Sequence, residues 1–129
     1  MRILIAEDDA ASRKFMADFM KELGDCDLVV DGMEAVEAFE MALDEKNPYD
    51  LICLDVMMPL MDGYQVLEAV RTTETKNKIQ DDARVKIIMM TALDREQNVN
   101  KAFELGCTAY CAKPLDLEKV KDVLEKIGF

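Results

Sequence analysis

Leu51-Ile52-Cys53-Leu54-Asp55-Val56-Met57-Met58-Pro59-Leu60-Met61-Asp62-Gly63-Tyr64 is the stretch that decides how this chain folds. From Asp50 to Asp55 the residues are apolar on both alternating faces, so a strand here has no side to offer to water. Such strands sit inside parallel sheets that helices cover on both faces. The strand ends on a carboxylate, which an ordinary apolar core does not require. Pro59 and Gly63 then break the chain, and Tyr64–Arg71 reads as a helix. One strand, one loop and one helix in this order form the repeating half of an α/β fold.

The same alternation extends in both directions. Arg2–Ala6 reads as a buried strand. Ala10–Leu23 repeats apolar residues at Phe15, Met16, Phe19, Met20 and Leu23, which is helical spacing, and Gly24 reads as its stop. Leu28–Val30 reads as a short second strand and Asp31-Gly32 as a turn. Met33–Lys46 reads as a helix with Val36, Phe39 and Leu43 on one face and Pro48 beyond it. After the central unit, Thr72–Arg84 is polar and reads as a frayed helix end and the longest surface loop; it is assigned no function. Val85–Met90 is an apolar strand, Glu96–Leu105 a helix closed by Gly106, and Ala109–Ala112 a short strand. Leu117, Val120, Leu124 and Ile127 mark a final helix. Five strands alternating with five helices predict an α/β, doubly wound parallel sheet. The expectation is one domain over residues 1–129 with no output domain.

Composition narrows the chemistry. Sixteen basic and 27 acidic residues give a net charge of −11. That balance opposes nucleic-acid binding, which rests on cations meeting phosphates, and it opposes anionic membrane surfaces. There is no histidine, which excludes Ser-His-Asp and Cys-His catalysis and histidine-ligated metals. No apolar run approaches a membrane span, and the N-terminus turns acidic at Glu7, too soon for a signal peptide. A cytoplasmic protein is expected. Cys26, Cys53, Cys107 and Cys111 lack C-x-x-C spacing and read as free, buried thiols.

In doubly wound folds, ligands bind beyond the carboxyl ends of the strands. The polar residues there are Glu7-Asp8-Asp9 after strand one, Asp55 at the end of strand three, Thr91 after strand four and Lys113-Pro114 after strand five. Gathered carboxylates repel one another, and a hard divalent cation with oxygen ligands resolves that repulsion; Mg²⁺ is the natural choice. Lys113 can pair with Asp55 and then with a phosphoryl oxygen, and the Thr91 hydroxyl can donate to another. Asp9 reads as a solvated turn or helix cap. Met57, Met58 and Met61 read as packing and backbone support, since thioethers suit soft ions.

The ordered set Glu7-Asp8, Asp55 with Met57-Met58-Pro59 and Met61-Asp62-Gly63, Thr91-Ala92, and Lys113-Pro114 resembles the receiver domain of two-component response regulators, in the single-domain, chemotaxis-regulator-like form. The resemblance spans Arg2 to about Ile127. It implies the flavodoxin-like (βα)5 fold with strand order 2-1-3-4-5. It implies Asp55 as phospho-acceptor and a Mg²⁺ site in which Asp8 and Asp55 ligate through side chains, Met57 through its backbone carbonyl and Glu7 through water. It further implies Thr91 as switch hydroxyl, Lys113 as phosphate-contacting lysine, a cis Lys113-Pro114 bond, Tyr110 as the aromatic that reorients, and Ala92 as the small residue keeping the acceptor accessible. Glu7 stands where Asp is more usual.

The resemblance also implies partners: a sensor histidine kinase or histidine phosphotransfer protein as donor. The output would be an unknown downstream protein or a phosphorylation-dependent homodimer, met by the face of helix four, strand five and helix five. Met57 and Leu93 stand where family members place side chains that position the hydrolytic water; both are apolar, which predicts slow self-dephosphorylation. A dehalogenase-type phosphatase would need a carboxylate at Met57, and a flavin-binding flavodoxin a phosphate loop where Glu7-Asp8-Asp9 stand. A receiver fold acting as a phosphorylation-independent interaction module is the remaining alternative.

Overall fold

In the computed structural model the described residues, 1–92 and 96–129, alternate strand and helix throughout. The strands are β1 (Arg2–Ala6), β2 (Asp25–Val29), β3 (Leu51–Asp55), β4 (Lys86–Thr91) and β5 (Ala109–Ala112). The helices are α1 (Ala10–Met20), α2 (Gly32–Asp44), α3 (Gly63–Lys76), α4 (Glu96–Glu104) and α5 (Leu117–Ile127). The strands form one sheet in the order β2-β1-β3-β4-β5, every neighbouring pair parallel. This is the flavodoxin-like α/β architecture.

Burial explains the layering. Every residue of β3 is buried, and side chains alternate between two cores. Leu4, Ile52, Leu54, Ile87 and Met89 pack with Phe39 of α2, Leu67 of α3 and Ala102 of α4. Ile3, Ile5, Leu51, Cys53 and Met90 pack on the other face with Met16 and Met20 of α1 and Leu124 of α5. Four helices begin on an aspartate whose carboxylate accepts an amide of the first turn: Asp9 from Ser12, Asp31 from Glu34, Asp62 from Gln65 and Asp116 from Lys119. Each such cap is worth about 1 kcal/mol. The expected cap role of Asp9 is what the structure shows. No helix among the described residues is long and apolar enough to cross a membrane. Cys53, Cys107 and Cys111 are buried free thiols, and Cys26 is only half-buried.

The structure differs most from the sequence reading in three places. β2 begins at Asp25, three residues before the expected Leu28, and ends before Val30. It is an edge strand paired only with β1, so Asp25 and Asp27 can face solvent and no apolar run announces it. α1 stops at Met20, short of Leu23. Gly24 is needed for a different reason than a left-handed cap: a Cβ there would run into the backbone of Met1. The largest correction concerns Thr72–Arg84. α3 continues to Lys76, and a short 3-10 turn at Asp81–Ala83 leads to β4. Glu74 is 1% exposed; its carboxylate accepts from Arg71 Nη1 at 2.7 Å and from the Val85 N–H at 2.8 Å. A charged residue reads as surface in a sequence, but this one is a buried, paired tie between α3 and β4.

Candidate functional site

The parallel register brings the carboxyl ends of β1, β3, β4 and β5 to one edge, with Ala6 beside Leu54, Asp55 beside Met90 and Thr91 beside Ala112. β1 runs on for one more ladder bond, Glu7 N–H to the Val29 carbonyl at 3.1 Å, and this draws the Glu7 side chain fully into the protein, at 0% exposure. Asp55 is 4% exposed and Asp8 lies open to solvent. One carboxylate oxygen from each of Glu7, Asp8 and Asp55 falls within 4.8 Å of the other two.

Lys113 supplies the countercharge. Its Nζ lies 2.5 Å from Glu7 Oε1 and 3.7 Å from Asp55 Oδ2. The pairing with Asp55 expected from the sequence is present, and Glu7, longer than Asp by a methylene, makes the closer contact. The Lys113 N–H donates to the Thr91 carbonyl at 2.8 Å, and the Lys113-Pro114 peptide is cis. Thr91 is buried at the end of β4, and Ala92 beside it is exposed. Tyr110 lies on β5 opposite Met89, half-buried against the three-helix core and outside the carboxylate cluster. The Met57 side chain is 62% exposed, while its backbone N–H supports the Asp55 carboxylate. Leu93 falls outside the described residues.

Two positioning features carry no clear sequence signal. Arg13 donates from Nη1 to the carbonyls of Glu7 (2.9 Å) and Asp8 (3.4 Å), pinning the acidic loop to the first turn of α1. Its placement just after that loop is its one clue. Gly63 donates its N–H to the Val56 carbonyl at 2.8 Å, and a Cβ there would overlap the Asp55 carbonyl oxygen. The start of α3 is thus pressed against the end of β3, a packing need beyond the punctuation read from sequence.

The electrostatics follow from burial. Desolvation pushes Glu7 from 4.5 to about 7, although the hydrogen bond from Lys113 opposes it. Burial likewise raises Asp55, while the Lys113 charge, the Glu7 carboxyl and the Met57 N–H hold it down. Burial disfavours the Lys113 ammonium, but the Glu7 hydrogen bond and the two carboxylate charges outweigh that, and its pKa rises.

This donor set fits a small, hard divalent cation. All side-chain donors are carboxylate oxygens, and Glu7 Oε2 is buried without a hydrogen-bond partner. An orphaned buried acceptor beside two more carboxylates is short of positive charge.

The sequence pattern of the response regulator receiver domain matches residues 3–125. The chain belongs to this family. The receiver is 32% identical over 129 residues to the chemotaxis protein CheY of Treponema pallidum, covering 98% of this chain and 80% of that protein. Several other curated relatives are longer, and the receiver spans no more than 55% of their length. Among solved structures, it resembles a CheX–CheY–BeF₃–Mg²⁺ complex from Borrelia burgdorferi at 27% identity and a TM-score of 0.81, covering 100% of this chain and 90% of that one. It also resembles the receiver domain of Ssk1, solved with the phosphotransfer protein Ypd1 of Saccharomyces cerevisiae, at 26% identity and a TM-score of 0.81, covering 97% and 87%.

Proposed function

We propose that this receiver accepts a phosphoryl group on Asp55, assisted by Mg²⁺ held between Glu7, Asp8, Asp55 and the Met57 carbonyl, and passes the signal on by protein contact. The observation that carries the reading is the meeting of three carboxylates within 4.8 Å of one another beside a lysine that already touches two of them. Mg²⁺ bound there would screen the carboxylates from an anionic donor and offset charge that builds during transfer.

The chain's own residues do the rest. Asp55 attacks the phosphorus of a phosphohistidine in line; the O–P bond of an acyl phosphate forms as the donor's P–N bond breaks. The donor is a histidine kinase or a histidine phosphotransfer protein, consistent with the Ypd1 complex of the related Ssk1 domain. Lys113, 3.7 Å from the acceptor, turns to a phosphoryl oxygen, and the Thr91 hydroxyl donates to another. Thr91 and Tyr110 then act as the switch, Ala92 keeps the acceptor accessible, and the face formed by α4, β5 and α5 changes partner affinity. A cytoplasmic setting suits the free thiols.

Incubation with acetyl phosphate and Mg²⁺ followed by intact mass tests the reading. One phosphoryl adduct is expected, lost in Asp55→Asn and in metal-free buffer. No adduct on the wild-type chain, or an adduct that persists in Asp55→Asn, would leave a phosphorylation-independent interaction module instead.

A further inference from the structure

Of the three carboxylates at the site, two are fixed by their surroundings. Glu7 is fully buried and bonded by Lys113 at 2.5 Å, and Asp55 is 4% exposed with the Met57 N–H behind it. Asp8 is different. It is exposed, and its carboxylate has no hydrogen-bond or ion-pair partner among the described residues. It also stands between Glu7 and Asp9, and three consecutive carboxylates repel one another. The place of Asp8 is therefore set through its backbone.

Arg13 holds that backbone. A single nitrogen, Nη1, donates to the Glu7 carbonyl at 2.9 Å and to the Asp8 carbonyl at 3.4 Å. No other side chain among the described residues bonds the backbone of Glu7 or Asp8. The Arg13 N–H donates to the Asp9 carbonyl at 2.9 Å, and the Asp9 carboxylate accepts from the Ser12 N–H at 2.8 Å. The loop and the start of α1 thus close into one unit. Two features speak against an incidental contact. A cation near the N-terminus of a helix works against the helix dipole, so Arg13 does not serve the stability of α1 itself. The guanidinium also lies among acidic residues, yet it makes no carboxylate pair among the described residues. Its bonds go to carbonyls, and such bonds restrain the main chain where a surface ion pair would not.

We propose that Arg13 is a positioning residue for the metal site: by clamping the Glu7 and Asp8 carbonyls it holds the Asp8 carboxylate ready beside Glu7 and Asp55, and so raises the affinity for a divalent cation. Charge alone predicts the opposite. A guanidinium near the site repels a cation, so removing it would tighten binding. Losing the clamp weakens binding, because the loop must then be ordered as the cation enters. Calorimetric titration of the full chain with Mg²⁺ reads the sign. Arg13→Met should bind about tenfold more weakly, the equivalent of ordering one residue's backbone. Arg13→Lys, which keeps the charge and a donor, should recover part of the loss. Labelling by acetyl phosphate should need about tenfold more Mg²⁺ for its half-maximal rate in Arg13→Met, yet come within about twofold of the wild-type rate at saturation, since Arg13 touches no reacting group. Where Arg13→Met does not fold, Arg13→Gln carries the same prediction. A Mg²⁺ affinity unchanged or increased without the guanidinium, or no recovery in Arg13→Lys, would overturn the proposal. So would wild-type affinity paired with a lower rate at saturating Mg²⁺. The inference rests on the metal site proposed above: a wild-type chain that takes up no Mg²⁺ refutes that site, whereas normal uptake unmoved by Arg13→Met refutes only the role of Arg13.

Discussion

Glu7 holds a fully buried carboxylate 2.5 Å from Lys113, with its second oxygen unpartnered. Its pKa, raised from 4.5 to about 7, makes stability depend on pH. Between those values the folded chain retains a proton that the unfolded chain has released, so metal-free stability falls as pH rises through the window. Chemical unfolding in EDTA at pH 5 and pH 8 should show this drop, and Glu7→Gln should flatten it; an equal slope in the variant would refute the assignment. Mg²⁺ affinity should rise over the same interval, because the cation displaces the proton. Met57 is expected to bear on the lifetime of the proposed phosphorylated form. Its exposed thioether offers no hydrogen bond to a hydrolytic water, and Met57→Asn is expected to speed dephosphorylation by about tenfold, the value of one well-placed hydrogen bond. Phosphate release timed after the donor is removed checks it, and an unchanged rate would count against the role.

α3 is tied down at both ends by contacts that no periodicity reveals. At its C-terminal end Arg71 bonds Glu74, the Val85 carbonyl and the Gly106 carbonyl. Glu74→Ala would leave a mostly buried guanidinium without its carboxylate and the Val85 N–H without its acceptor. The expected cost is about 3 kcal/mol in denaturant unfolding, whereas a frayed loop, as the polar sequence suggests, would lose almost nothing. At its N-terminal end Gly63→Ala must push α3 away from the Asp55 carbonyl. Both stability and the rate of acetyl phosphate labelling should fall. A variant that loses stability but labels at the wild-type rate would show that the contact supports the fold and not the acceptor.

The whole molecule carries a charge of −11 and concentrates part of it in one half-buried cluster. With Mg²⁺ bound there as proposed, folding would be linked to cation binding. Mg²⁺ at a hundredfold excess over its Kd should stabilise the chain by about 2.7 kcal/mol. Thermal melts with Mg²⁺ and with EDTA measure this, and Asp8→Ala should abolish most of the difference. A shift preserved in Asp8→Ala would move the cation elsewhere on the acidic surface.

Much of this protein was legible in the one-dimensional pattern. The apolar strands β1, β3 and β4, the carboxylates and lysine at strand ends, and the order of Glu7, Asp8, Asp55, Thr91 and Lys113 can all be read because hydrophobic burial on two faces and polar side chains at strand termini are local properties. Other features are not local. β2 is an edge strand whose pairing, not its composition, makes it a strand. Glu74 looks like surface until Arg71 and the Val85 amide meet it across the fold. Arg13 matters only because α1 carries it back to the Glu7 and Asp8 carbonyls. That Lys113 meets Glu7 as well as Asp55, and more closely, depends on a methylene's reach within a packed site. The alternation of elements and the chemical types at the site thus follow from local patterning, whereas which charged groups lie buried together emerges only on folding, because burial and pairing are set by residues distant along the chain.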